Sequence, residues 1–364
     1  MFHKLGFNRS YRKPDMQESH TNIRTIAEAA GVSIASVSRA LQEPPSPKIS
    51  AKRRKHILDI CTQMQYYPNA HTQRMFARRA DTVAILFPSY AKISSDAAAM
   101  AVDMNFAACL MGAQSELAGH GIGLLLNELT PDYLKEKRYL RMIRGKAVDG
   151  VLIWGALTDD AWLSELLAEG APAVMLQTSI VTCNCPKVVA DDYRGMQSLM
   201  EEVLAAGRTR IGLAPASESA SIGRARNAAV RDTLAAHGMR PAAEFPEEGY
   251  GYYFGRRAAT GLLAAEPKID CIVNSNDMAA WGCLDELRSL GIAVPGDISV
   301  VGADGLHLPG DTQISSFSAP SLELGRTGAK LLLELLEGGT PAESTVLPVT
   351  LVPGNTIRRK RRNR

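Results

Sequence analysis

The hydrophobic period of this chain changes near residue 81. Before that point, starting at Asn22, apolar residues recur every three or four positions. Ile23, Ile26, Ala27 and Ala30 line one face of a helix that Asn22 caps. Gly31 permits a sharp turn, and Ser33 is placed to cap a second helix. In that second helix Val37 and Leu41 pack back onto the first, which leaves Ser33, Ile34, Ala35, Ser38 and Arg39 on or near the outward face. The run EPPSP at 43–47 breaks the chain. Ser50 then starts a third helix, AKRRKHILDICTQMQYY, with Ile57, Leu58, Cys61 and Met64 on its inner side. The stretch YPNAHTQRMFARRADT at 67–82 reads as a linker with helical character, a capping Asn69 and a basic end.

From Asp81 onward the pattern becomes short apolar runs separated by amphipathic stretches. VAILF (83–87), GIGLLL (121–126), GVLIW (150–154) and AVML (173–176) read as buried parallel strands, and the rhythm restarts at RIGLA (210–214), DCIVNSND (270–277) and ISVVGAD (298–304). Strands alternating with helices predict parallel sheets covered on both faces. Two successive series predict two similar lobes, with a ligand cleft at the carboxyl ends of their strands. The fold class expected is therefore α/β, with a small all-α helix-turn-helix head in front of a two-lobed body.

Charge sharpens this division. Residues 1–80 hold 14 Lys and Arg against 5 Asp and Glu, and residues 358–364 (RRKRRNR) hold 6 basic residues and no acidic ones. The segment between them holds 21 basic against 33 acidic residues, so a net charge of only +3 hides a basic head on an acidic body. Such an asymmetry points to a nucleic-acid-binding module carried by a domain with another task. No apolar run reaches the ~18 residues of a membrane span. The first twenty residues are polar throughout, without the apolar core of a secretory signal, so a cytoplasmic protein is expected. The six cysteines are scattered, and the C-x-C at Cys183 and Cys185 has no second Cys or His cluster to complete a metal site. Reduced thiols are expected, with neither metal nor cofactor. The chain also has no P-loop, no G-x-S-x-G and no metal-spaced His/Cys set, which argues against an enzyme.

The run IRTIAEAAGVSIASVSRAL at 23–41, then YYPNA, then a two-lobed body containing NSNDMAAWG and ISVVGAD, resembles the LacI/GalR family of bacterial transcription regulators. The resemblance extends from Asn22 to about Thr356, and AGVSxxSVSR is its most specific part. Residues 1–20 themselves read as a disordered extension, and the resemblance implies a helix-turn-helix head at 21–67 and a hinge helix or linker at 68–80. An effector-binding and dimerisation body of two lobes follows at 81–356; the basic tail at 357–364 is read from its own charge. The resemblance also implies a homodimer that binds palindromic double-stranded operator DNA and answers to a small molecule.

In a helix-turn-helix the second helix lies in the major groove. Arg39 is the candidate for a guanine edge or a phosphate, and Ser33, Ser36 and Ser38 can donate to phosphates. Ile34 and Ala35 occupy the two positions that most often set operator choice in this family, where an apolar pair can meet thymine methyl groups. Lys52, Arg53, Arg54 and Lys55 are either a solvated face or contacts to backbone phosphate. The resemblance places Met75 at the family's minor-groove leucine, after Asn69, with Phe76 as the alternative wedge.

For the effector, the resemblance assigns Arg224, in SIGRARNAAVRDTL, to the ligand-binding arginine. Asn276, Asp277 and Asp304 match its polar positions, and Phe106 is assigned to the cleft lip. Gln177 stands where the family has an acid. The stretch PSYAKISSDAAAMAVDMN is longer than usual, and GYGYYFG (249–255) carries extra aromatics. An arginine, carboxylates, amides and an aromatic wall form a toolkit for a sugar or sugar derivative. The reading favoured is a repressor of sugar or related carbon-source genes released by an inducer. The alternatives are a corepressed, purine-type regulator and a solute-binding protein.

Overall fold

A computed structural model describes residues 21–42, 46–67, 79–89, 104–157, 160–180, 184–307 and 311–358. The chain parts into two compact units between residues 78 and 79. The expected extension at 1–20, Asn69, Met75 and Phe76 in the linker, most of the long stretch before Phe106, Cys183 and residues 359–364 lie outside the described residues.

The first unit contains three helices among its described residues: α1 (Ile23–Ala29), α2 (Ile34–Ala40) and α3 (Ala51–Gln63). Asn22 caps α1 through its side-chain oxygen, which accepts from the amides of Arg24 and Thr25, and Thr25 returns the bond in a capping box. Gly31 turns the chain at φ +62°, a left-handed conformation that costs glycine little. The Oγ atoms of Ser33 and Ser50 cap α2 and α3. Ile26, Val37, Ala40 and Ile57 are fully buried between the three helices, with Cys61 beside them.

The second unit is built on two parallel sheets. Among the described residues the first has six strands in the order β11-β5-β4-β3-β1-β2 and the second has four in the order β7-β6-β8-β9. The first sheet comprises β1 (Thr82–Pro88), β2 (Gly123–Leu129), β3 (Gly150–Trp154), β4 (Ala173–Leu176), β5 (Lys187–Ala190) and β11 (Ser344–Leu347). The second comprises β6 (Ile211–Ala214), β7 (Ala243–Glu244), β8 (Cys271–Asn274) and β9 (Ser299–Val301). A short antiparallel pair, β10 (Ser316–Ser318) with β12 (Thr350–Val352), adjoins the second lobe. Every residue of β3, β4, β6 and β8 is buried, as expected of parallel strands covered on both faces.

The lobes are not consecutive halves of the sequence. α12 (Ser321–Leu336) and β11 return from the second lobe to complete the first, and β5, β7, β10, β11 and β12 extend beyond the seven strands read from the sequence. The return is fixed by close helix packing. α12 lies against α4 (Met104–Gly119), where a Cβ on Gly112 would overlap the carbonyl oxygen of Leu322, and one on Gly325 that of Cys109. The second lobe repeats the device between α10 (Tyr252–Ala265) and α11 (Asp277–Ser289). There Gly255 meets the carbonyl of Ala279, and Gly282 that of Tyr252.

The unit boundary places Ala80 in the body, although 68–80 was expected as hinge. Asp149 takes its amide at 2.7 Å. At the other end, Ile357 was expected in the tail but is buried in the second lobe, and Thr356 accepts the amide of Ser315 at 2.9 Å.

Candidate functional site

The outer face of α2 presents Ile34, 44% exposed, beside exposed Ala35 and Arg39. Ser33 is exposed too, but its Oγ accepts from the Ser36 amide at 3.2 Å and shares a 3.0 Å hydrogen bond with the Ser36 hydroxyl. Its first role is the cap. Ser36 and Ser38 are half-buried, while Lys52, Arg53 and Lys55 on α3 are exposed. An apolar pair flanked by cations is a surface suited to a duplex groove edged by phosphates.

In the body the chemistry gathers around Arg226 on α9 (Ser221–Ala236). Its side chain is 4% exposed, and every nitrogen is engaged. Nε donates to Asp192 Oδ1 at 2.8 Å, Nη1 to the carbonyl of Ser275 at 2.9 Å, and Nη2 to Asp304 Oδ1 at 3.0 Å. Burial opposes the charge, but Asp192 and Asp304 more than offset it and raise the guanidinium pKa. Asp192, the first residue of α8 (Asp192–Ala205), receives Gln177 Nε2 at 2.8 Å on its other oxygen. The Gln177 Oε1 accepts the Ala190 amide, so its whole amide group is used. A second carboxylate at 177 would face Asp192 directly. This accounts for an amide where the resemblance has an acid.

Four buried polar atoms around this cluster make no hydrogen bond of good geometry among the described residues: Thr178 Oγ1, Tyr250 OH, Ser275 Oγ and Asp277 Oδ1. Leaving one such group unmade costs about 1–3 kcal/mol. The Tyr250 hydroxyl is pushed up to about 12, chiefly by burial. Burial, then the charge of Asp304, pushes the Asp277 carboxyl well above the usual carboxylate range.

Not every residue assigned from the sequence reaches this cluster. Asp304 does, from a turn in which it takes φ +116°. Asp277 is fully buried and holds that turn. Its amide donates to Ala303 O and its Oδ2 accepts from Leu306 N, both at 2.7 Å. Asn276 caps α11 through Oδ1, which leaves Nδ2 without a hydrogen bond among the described residues. Arg224 instead donates through Nη1 to Glu218 O, and the guanidinium at the centre is that of Arg226. Phe106 is buried in the first lobe's core, its ring 4.9 Å from Phe87 and 5.4 Å from Trp154. Of the aromatic run, only Tyr250 joins the cluster. Phe254 is core, and Tyr252 donates to Asp285.

The sequence reading missed Asp192, Arg226, Tyr250 and Ser275. SIGRARN offers two arginines two apart, and only helix phase tells which one faces inward. Asp191–Asp192 at a strand-to-helix junction was a signal that went unused. A shallow groove of about 630 Å³ on α10, lined by Tyr253, Arg256, Arg257, Thr260, Gly261 and Glu286, shares no residue with the cluster. Its arginines are already paired with Glu286 and Glu247.

Two family models match the chain, one described as bacterial regulatory proteins, lacI family, over residues 22–69, and one as a periplasmic binding protein-like domain over residues 200–357. The ribose operon repressor of Bacillus subtilis (strain 168) is 26% identical over 345 residues, covering 93% of this chain and 99% of the relative. The transcriptional repressor CytR of Escherichia coli (strain K12) is 24% identical over 330 residues, covering 90% and 93%. The lac repressor dimer bound to operator and an anti-inducer matches the fold with a TM-score of 0.78 at 22% identity, over 93% of this chain and 99% of that one. The complex of the regulator CelR with cellobiose matches at 0.67 and 24%, over 92% and 99%. Residues 22–69 thus belong to the lacI family of bacterial regulatory proteins and residues 200–357 to the periplasmic binding protein-like domains, joined in one chain that is similar to lacI-type repressors over most of its length.

Proposed function

We propose that this protein is a ligand-gated repressor that binds a palindromic operator as a homodimer and is released by an uncharged, hydroxyl-rich effector of the sugar type. It works by binding and not by turnover, in the cytoplasm where its DNA lies. Among the described residues no helix is long and apolar enough to cross a membrane.

The observation that carries the effector class is the internal pairing of Arg226. All three of its nitrogens are engaged by Asp192, Asp304 and Ser275, and two carboxylates already match its single charge, so this guanidinium does not act as a free anion receptor for a phosphate or carboxylate. Two carboxylates, Asp192 and Asp304, pair with that one cation, and the net negative balance disfavours anions. The atoms without a hydrogen bond of good geometry among the described residues are three hydroxyls and one carboxylate oxygen, which suit a neutral ligand able both to donate and to accept. Relatives named for ribose and cellobiose support a neutral sugar.

The test measures operator affinity of the full chain with and without a panel of neutral sugars and polyols and their phosphate esters. A neutral member is expected to weaken operator binding, and bound operator to weaken that ligand by the same factor. A ligand that tightens operator binding would replace induction by corepression. If a phosphate ester is the effective ligand, the class assignment fails. If no ligand of any charge changes the affinity, gating itself fails.

A further inference from the structure

The four basic residues that open α3 form one run in the sequence, but the structure separates them. Lys52, Arg53 and Lys55 are exposed. Arg54 is half-buried, and its Nε donates at 3.0 Å to the carbonyl oxygen of Ala40, the last residue of α2.

The last carbonyls of a helix have no intrahelical partner, and a cation is favoured beside them. α2 is only seven residues long, too short to hold itself, so its tilt depends on what fastens it. Ser33 secures its start, and Val37 and Ala40 are buried beneath it. Arg54 secures its end. That arginine sits in the first turn of its own helix, where the dipole disfavours a positive charge; the bond across to α2 offsets this.

We infer that Arg54 is a positioning residue for operator reading. It fixes the C-terminal end of the helix that carries Ile34, Ala35 and Arg39, and through it the angle at which those side chains meet base edges. Lys52, Arg53 and Lys55, on flexible stems, are the members of the run free to follow phosphates.

The experiment uses the full chain with Arg54→Lys and Arg54→Gln, and with Lys55→Ala as the phosphate control. Binding is measured to a half-site pair selected from random duplexes, to single-base variants of it and to unrelated duplex, over a range of salt. The working temperature is one at which circular dichroism shows each protein folded. Lysine keeps the charge but not the guanidinium fork. Both Arg54 variants are therefore expected to lose discrimination between the selected site and its variants. The loss should be roughly tenfold, the size of one hydrogen bond from a charged donor. The slope of log affinity against log salt should stay at its wild-type value. Lys55→Ala should do the reverse, lowering the slope by about 0.9 with discrimination kept. A fall in slope for Arg54→Gln with Arg54→Lys unchanged would make Arg54 a phosphate contact and overturn the inference. Unaltered discrimination in folded Arg54→Lys would overturn it equally. Should Arg54→Gln not fold, Arg54→Lys alone decides. Failure of the wild-type chain to select any duplex would strike the DNA-binding reading itself.

Discussion

Ile34 and Ala35 stand exposed on the face of α2 where groove readers commonly carry amides or guanidinium groups. An apolar pair discriminates by contacting thymine methyls and by offering nothing to a wrong base. Ile34→Ala is expected to relax the preferred half-site by roughly tenfold, as three carbons leave a partly buried contact. Arg39→Ala should weaken all sites together. Selection from random duplexes with each variant separates the two effects, and an unchanged preference in Ile34→Ala would make that residue packing. In the body, Arg226→Met strips the paired cation from Asp192 and Asp304, and should destabilise the body by about 3–5 kcal/mol. Arg224→Ala should cost under about 1 kcal/mol, because that side chain is half-exposed and holds one carbonyl. Urea titration followed by tryptophan fluorescence reads this directly, since Trp154, Trp162 and Trp281 all lie in the second unit. The exchange of Arg224 for Arg226 shows what the sequence concealed at this scale. Residue type and neighbourhood were legible, but which of two arginines turns inward depends on helix phase and on an aspartate 34 positions away.

At the scale of elements, capping and periodicity carried most of the information. Asn22, Ser33 and Ser50 all cap the helices they were expected to start, and the apolar runs at 83–87, 150–154 and 173–176 lie within buried strands. The edge strand β11 stayed hidden because STVL is short and half-solvated, with a burial pattern that alternates. The return of α12 stayed hidden for another reason. Its glycines read as helix-weakening residues until the facing carbonyls of α4 are seen. Gly325→Ala tests that contact. A methyl there meets backbone, which cannot rotate away, so the expected cost is about 1–3 kcal/mol despite alanine's better helix propensity. Gly338→Ala, beyond the end of α12 at φ +82°, is the comparison, strained by its backbone alone with nothing near its Cβ. A Gly325→Ala protein as stable as wild type would mean that α12 and α4 shift apart freely.

At the scale of the whole body, the lobes meet in a polar seam. Gln177 leaves β4 in the first lobe and holds Asp192 at the start of α8 in the second, and Ser221 at the start of α9 accepts the amide of Ser179 at 2.9 Å. Both partners of the first contact are buried, Gln177 8% and Asp192 3% exposed. Any effector that shifts the lobes works against this seam. Gln177→Glu probes it by restoring the acid that the family resemblance leads one to expect. Two carboxylates at that separation cannot both ionise without a large cost, so one of the pair must titrate well above its ordinary range in the folded state. A carboxyl whose folded pKa is raised contributes stability that is complete below its unfolded pKa and is lost as pH rises through the folded one. The variant should therefore melt close to wild type near pH 4 and fall progressively behind it toward pH 8. A shift of two pKa units corresponds to about 2.7 kcal/mol, or a midpoint lower by several degrees in a body of this size. Tryptophan fluorescence melts across that range supply the profile. A neutral effector that bridges the seam should raise the variant's midpoint at pH 8 by mass action. A Gln177→Glu curve parallel to wild type at every pH would mean that the two side chains do not share the seam in solution, and that Ser221 alone carries it.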